Sequence, residues 1–232
     1  MKIEVCINRI EDVQSVQSYN VDRIELCIEL GCGGLTPSIA LVEQALAISR
    51  IPIHVLVRPR SGNFFYTKET IMLMKRTLEQ LREFPIAGVV TGALLADKDL
   101  PLDTLKMFRS VYSSAELYFH RAFDEVNDPK KALSNLIDLG YDGVLTSGQK
   151  ETALAGIDSL FQWKHFANRE ITILPGSGIN ADNCLVFNDM GFDWIHLSAK
   201  RKLEAAYDSL FSNQQYQLDL AGLKQVIKLI KP

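Results

Sequence analysis

A chain of 232 residues, 47% hydrophobic and 23% charged with a net charge of −3, has the makeup of an ordinary water-borne globular protein. That balance excludes a basic nucleic-acid-binding face, and no apolar run reaches the ~20 residues that a membrane helix needs. A chain of this size buries roughly 70% of its unfolded surface and needs no disulfide or metal to hold it together.

The first expected strand, residues 3–7, carries Glu4 where a signal peptide would continue its apolar run, so a cytoplasmic location is expected. There the cysteines at 6, 27, 32 and 184, which form no CxxC pair, stay free thiols. Further short β-branched runs fall at 22–26, 53–57, 88–91, 117–120, 143–146, 171–174 and 194–197, with starts about 19 to 35 residues apart. That spacing is the length of one strand–helix unit. Helix signals fill the intervals. Thr36-Pro37 offers a capping hydroxyl before a proline at the first helical position. Asp128-Pro129 repeats the device before an apolar face of Leu133, Leu136, Ile137 and Leu139, and Gly140 closes that helix. Residues 200–217 read as an irregular last strand–helix loop, and 218–231 as a final helix facing inward through Leu220, Leu223, Val226, Ile227 and Ile230. Eight units without a break in composition predict an α/β fold in one domain over 1–232, a (β/α)8 barrel of the TIM type. An open parallel sheet is the alternative, although Cys6-Ile7-Asn8-Arg9 is no glycine-rich nucleotide turn.

In such a barrel the C-terminal strand ends build the active site, and here they are polar. Glu4 and Cys6 share parity on the first strand, as do Arg23, Glu25 and Cys27 on the second and His54, Leu56 and Arg58 on the third. Pointing inward, these charges must pair, because an isolated buried charge costs several kcal/mol. Arg23, Glu25, Glu4 and Arg58 are therefore expected to form ion pairs. Such a network could serve register alone, or a site. As a site, Glu25, His120 and Asp124 are candidates for moving protons. Arg58, Arg60, Ser147 and the turn Gly176-Ser177-Gly178, with a helix N-terminus behind it, are candidates for holding an anion. The same turn could instead be glycine-rich only for its geometry.

Cys6 and Cys27 close consecutive strands, so their sulfurs can approach within a few ångströms and suit Cu(I), a soft ion. Packing as small buried hydrophobes is the other reading. Cys32 is a candidate third sulfur, and Cys184 lies in a helical pattern and reads as structural.

Taken together, Glu4-Val5-Cys6, Arg23-Ile24-Glu25-Leu26-Cys27, Gly33-Gly34-Leu35-Thr36-Pro37-Ser38, Val57-Arg58-Pro59-Arg60, His120-Arg121-Ala122-Phe123-Asp124, Thr146-Ser147-Gly148 and Pro175-Gly176-Ser177-Gly178, followed by His196, resemble the copper homeostasis protein CutC family to about Ser198. The sequence departs from the family pattern at Arg60-Ser61-Gly62-Asn63 and at Ser177. The resemblance implies a TIM-type barrel, a cytoplasmic homo-oligomer and Cu(I) binding, with Cys6 and Cys27 at the matching positions. Two functions follow: a Cu(I)-binding protein of copper homeostasis, or an enzyme acting on a small anionic or phosphorylated metabolite at the barrel mouth. A mere scaffold has no need of so polar a mouth. The expected partners are a copper ion or such a metabolite, with neither nucleic acid nor membrane.

Overall fold

The computed structural model describes residues 1–113, 115–202 and 216–231. Eight strands form one parallel sheet: β1 (Lys2–Ile7), β2 (Arg23–Leu26), β3 (Ile53–Val57), β4 (Gly88–Thr91), β5 (Glu116–Phe119), β6 (Gly143–Thr146), β7 (Thr172–Pro175) and β8 (Trp194–Leu197). Neighbours run in chain order from β7 back to β1, and β1 then pairs with β8. A single parallel bridge, Gly176 to His196, joins β8 to the end of β7, so the barrel is nearly closed. β3, β4, β6 and β8 fall where the alternation of the sequence places them; β1 and β2 differ by one residue at their starts, and β5 and β7 are displaced as a whole by one residue.

Helices cover the outside: α1 (Ile10–Val16), α2 (Ile39–Ile48), α3 (Lys68–Leu81), α4 (Leu102–Val111), α5 (Pro129–Asp138), α6 (Ile157–Ala167), α7 (Cys184–Asp189) and α8 (Leu220–Ile230). Their inward faces follow helical spacing, as Met74, Leu78 and Leu81 do on α3 and Leu223, Val226 and Ile230 on α8. They pack on the outward β-branched residues of the strands, among them Ile3, Val5, Ile24, Val55 and Ile195. This layer between sheet and helices is the main apolar core. Asp128 caps α5 by accepting from the Lys131 N–H with Pro129 in its first turn, and Gly140 beyond its end has a φ of 73°. Thr36 does not cap. Its Oγ1 instead accepts the Arg58 N–H at 2.8 Å. Ser38 caps α2 two residues later by accepting from the Leu41 N–H. In the expected irregular loop 200–217, Lys200–Lys202 (β9) and Tyr216–Leu218 (β10) pair as an antiparallel ladder, and 203–215 lie outside the described residues. Among the described residues no helix is long and apolar enough to cross a membrane.

The barrel interior is a second, smaller core with two unlike sides. Leu56, Val90, Tyr118, Leu145 and Leu174 from β3 to β7 make an apolar side. From β8, β1 and β2 come Glu4, Arg23 and His196, with Cys6 and Glu25 above them and Cys27 just beyond the end of β2. Registry puts Glu4 level with both Arg23 and His196, and Cys6 level with Glu25.

Candidate functional site

The polar side of the interior is ordered from its floor upward. Arg23 Nε donates to Glu4 Oε2 at 2.6 Å, and its Nη1 to Glu116 Oε2 at 2.9 Å. The guanidinium lies between two rings, 4.2 Å from the Trp194 centroid and 4.4 Å from that of Tyr118. Glu4 spends its other oxygen on His196 Nδ1 at 2.7 Å. Burial alone would raise the Glu4 carboxyl, but Arg23 and His196 hold it well below the usual carboxylate range. Burial would likewise lower the His196 imidazole, and the Cys6 sulfur, Glu4 and Glu25 around it raise it well above its ordinary value. Glu4 and His196 are thus a buried ion pair at neutral pH.

Above this floor, Cys6 Sγ and Cys27 Sγ lie 3.4 Å apart, both buried. Their mutual hydrogen bond and their burial push the Cys6 thiol well up, so without a metal the sulfur keeps its proton. Glu25 sits beside Cys6, and its carboxylate is 3.8 Å from His196 Nε2. Burial raises it, against the pull of His196 and with the charge of Glu4 adding. The pairing expected among four groups is therefore only half made. Glu4 pairs with Arg23, whereas Glu25 reaches neither arginine.

Arg58 lies one residue beyond β3, buried at the mouth of the barrel. Its Nη1 donates to the carbonyls of Cys32 and Gly34 at 2.9 and 3.0 Å, and its Nη2 to that of Gly62 at 3.0 Å. It ties the loop after β2 to the loop after β3, leaves its Nε without a partner, and stacks 5.1 Å from the Phe64 ring. His120 Nδ1 accepts the Ala122 N–H at 3.1 Å, which makes Nε2 the protonated nitrogen; that atom is buried without a partner. Burial and the nearby Arg58 charge lower the His120 imidazole to about 3. It is therefore a neutral hydrogen-bond donor and a poor base.

These groups open on one cavity of about 530 Å³ at the C-terminal end of the strands, lined by Cys6, Glu25, Arg58, His120, Asp124, Ser177, Gly178 and His196. Ser177 and Gly178 reach it through a turn with φ of 89° and 70°, a region glycine enters freely and serine rarely. Gly176 does not line it; a Cβ there would stand 2.6 Å from Leu145 and 3.2 Å from His196, so this glycine serves the close approach of β7 and β8. No helix starts directly behind the turn, because α7 begins only at Cys184 and spans six residues.

Other expected members lie apart from the cavity or are already engaged. Asp124 accepts from Thr146 Oγ1 at 2.5 Å, Arg121 Nε at 2.8 Å, and both the N–H and Oγ of Ser147 at 3.0 Å. It clamps the loop after β5 to the end of β6. Ser147 is buried in that clamp, and its single hydroxyl proton is shared between Asp124 and the Lys150 carbonyl. Arg60 is exposed and wraps its own loop, donating to the carbonyls of Ser61, Asn63 and Phe65. Cys27 is buried beside Cys6. Cys32 is exposed on the rim with its Sγ 3.2 Å from the Glu29 carbonyl, and Cys184 is buried on α7. His196 received no role from the sequence, and Glu4 only that of an ion-pair partner, which it keeps with Arg23. Their inward parity on β8 and β1 was the available signal, and it acquires meaning only once those two strands are adjacent.

Comparison with known proteins places this geometry in company. The sequence profile of the CutC family matches residues 1–201. A CutC family protein of Glaesserella parasuis is 37% identical over 238 aligned positions, covering 100% of this chain and 98% of the relative. One from Pasteurella multocida is 39% identical over 201 positions, covering 86% of this chain and 82% of the relative. The crystal structure of a Streptococcus agalactiae CutC, named for copper homeostasis, superposes with a TM-score of 0.80 at 27% identity over 85% of this chain and 98% of that one.

Proposed function

The chain belongs to the CutC family, and from that premise we propose that it is a cytoplasmic protein of copper homeostasis that binds Cu(I) between the sulfurs of Cys6 and Cys27. One observation carries the reading: the two sulfurs are 3.4 Å apart. Two metal–thiolate bonds of ~2.3 Å span at most about 4.6 Å. At the separation seen, a bent S–Cu–S unit of about 95° fits without movement, and a linear one needs the sulfurs to part by about 1 Å. Thiolates are the donors that Cu(I) prefers. Because the Cys6 thiol is held protonated, metal uptake releases protons and tightens as pH rises. Cys6→Ser combined with Cys27→Ser is expected to abolish stoichiometric Cu(I) binding, measured against a competing Cu(I) chelator. Unchanged affinity in the double variant would overturn the reading. A homo-oligomer accompanies the family reading, and light scattering of the purified chain tests it.

The cavity favours a second reading, an enzyme acting on a small anionic or phosphorylated metabolite. Arg58, the neutral His120 donor, Ser177 and Gly178 would face the anion, and the raised Glu25 carboxyl would move a proton. Asp124, fully engaged by its neighbours, would hold the rim in shape. Thermal-shift screening against phosphorylated metabolites tests this. A stabilising compound whose effect disappears in Arg58→Ala supports it, and no response to any of them sinks it.

A further inference from the structure

Glu25 and His196 flank Cys6 yet take no part in the sulfur pair. One ligand atom from each of Cys6, Glu25 and His196 lies within 4.8 Å of the other two, and all three residues are buried. Apart from the neighbouring Cys6 thiol, no donor stands within hydrogen-bonding distance of the Glu25 carboxylate among the described residues. Glu25 is thus a carboxylate 4% exposed that is aimed into the cavity without a full set of partners, an expensive arrangement unless something else satisfies it.

His196 is presented in the way metal-binding histidines are. Its Nδ1 is occupied by Glu4 at 2.7 Å, so Nε2 is the nitrogen left to take a metal in place of its proton, and it faces Glu25 at 3.8 Å. Glu4 is itself fixed by Arg23 at 2.6 Å. A carboxylate behind an imidazole sets the tautomer, fixes the ring and raises the basicity of the other nitrogen. Around a four-coordinate ion with bonds of ~2.0–2.2 Å, neighbouring nitrogen and oxygen ligands stand about 3.4 Å apart, so Glu25 and His196 need close by only a few tenths of an ångström.

The geometry points to a mononuclear divalent-metal site formed by Cys6 Sγ, the Glu25 carboxylate and His196 Nε2, with its fourth position open to the cavity. The donors come from three adjacent strands, β2, β1 and β8. One thiolate, one imidazole and one carboxylate make a mixed set that suits a borderline divalent ion such as Zn2+ and is too hard for Cu(I). Three protein ligands with an open position facing a cavity is the arrangement of catalytic rather than structural zinc. The site shares Cys6 with the sulfur pair and dispenses with Cys27, so the two metals compete for one sulfur.

The test uses the purified full-length chain stripped of metal by a chelator. Zn2+ is titrated against a chromophoric zinc chelator, and Co2+ is added separately while the electronic spectrum is recorded. One Zn2+ per chain is expected, with Co2+ giving visible bands of a four-coordinate ion and a near-ultraviolet thiolate charge-transfer band. Glu25→Gln and His196→Gln should each weaken Zn2+ binding by at least about a hundredfold, and Glu4→Gln by about ten- to a hundredfold. Glu25→Gln is isosteric, so a native circular-dichroism spectrum with lost metal identifies a ligand rather than a folding defect. Cys27→Ser should keep Zn2+ while removing the two-sulfur Cu(I) site, which separates failure of this site from failure of the copper reading. The proposal is overturned if Co2+ gives no thiolate band, if Glu25→Gln and His196→Gln bind Zn2+ as the parent does, or if Cys27→Ser loses Zn2+ as fully as His196→Gln.

Discussion

His120 and His196 border one cavity and are driven to opposite charge states. His196 has two carboxylates beside it; His120 has Arg58, an apolar wall and Phe64, whose ring centroid is 4.8 Å from its own. The difference bears on stability. His120 titrates at about 3 in the fold and near 6.5 in the unfolded chain. Its contribution is therefore fully present above about pH 6.5 and is lost as pH falls toward the folded value. At pH 5 the loss amounts to about 2 kcal/mol. His120→Asn keeps an acceptor for the Ala122 N–H, so its unfolding free energy should drop between pH 7 and pH 5 by about 2 kcal/mol less than that of the parent in urea titrations. An equal drop in both would show that His120 is not held neutral. His196 has the opposite sign: its raised value stabilises the fold below about 6.5, a gain lost as pH rises through that raised value. Residue types at these positions were plain in the sequence, but their partners were not. Arg58 was expected to meet a carboxylate and meets three carbonyls, because one step beyond β3 its guanidinium is within reach of the loops after β2 and β3.

At the scale of elements, small residues inside the barrel decide where large ones go. A Cβ on Gly143 of β6 would stand 2.1 Å from the Tyr118 ring of β5, and one on Gly88 of β4 would stand 2.6 Å from His54 Nε2. Those two glycines give Tyr118 its place against Arg23 and give His54 its place 3.1 Å from Glu116 Oε2. Gly143→Ala should then destabilise the protein by about 1–3 kcal/mol through overpacking, read as a lowered urea midpoint with an unchanged slope. No change would mean that Tyr118 has somewhere else to go. Strand and helix positions were largely legible, since alternation and apolar spacing are local. The start of α2 was not: Thr36 and Ser38 are equally good caps, and the Arg58 N–H, 22 residues away, engages the threonine.

Across the whole molecule the sheet is uneven around its circumference. β1 pairs with β8 over four residues, whereas β8 meets the end of β7 through one bridge. Sparse hydrogen bonding makes this seam the place where local opening costs least. In native-state hydrogen exchange followed by mass spectrometry, peptides spanning β7 and β8 should exchange ahead of those spanning β3 and β4, and equal protection would contradict the seam. Eight strands, their sequence along the chain and the polar residues at their ends were all determined by the sequence alone, because strand period and turn chemistry reside in consecutive residues. Tertiary structure alone decided which of those residues meet. Glu4 and His196 lie 192 residues apart and touch only because the sheet curls until β8 reaches β1, and Glu25 finds His196 rather than an arginine for the same reason. Registry around a closed barrel is a property of all its strands at once, so no single stretch of sequence contains it.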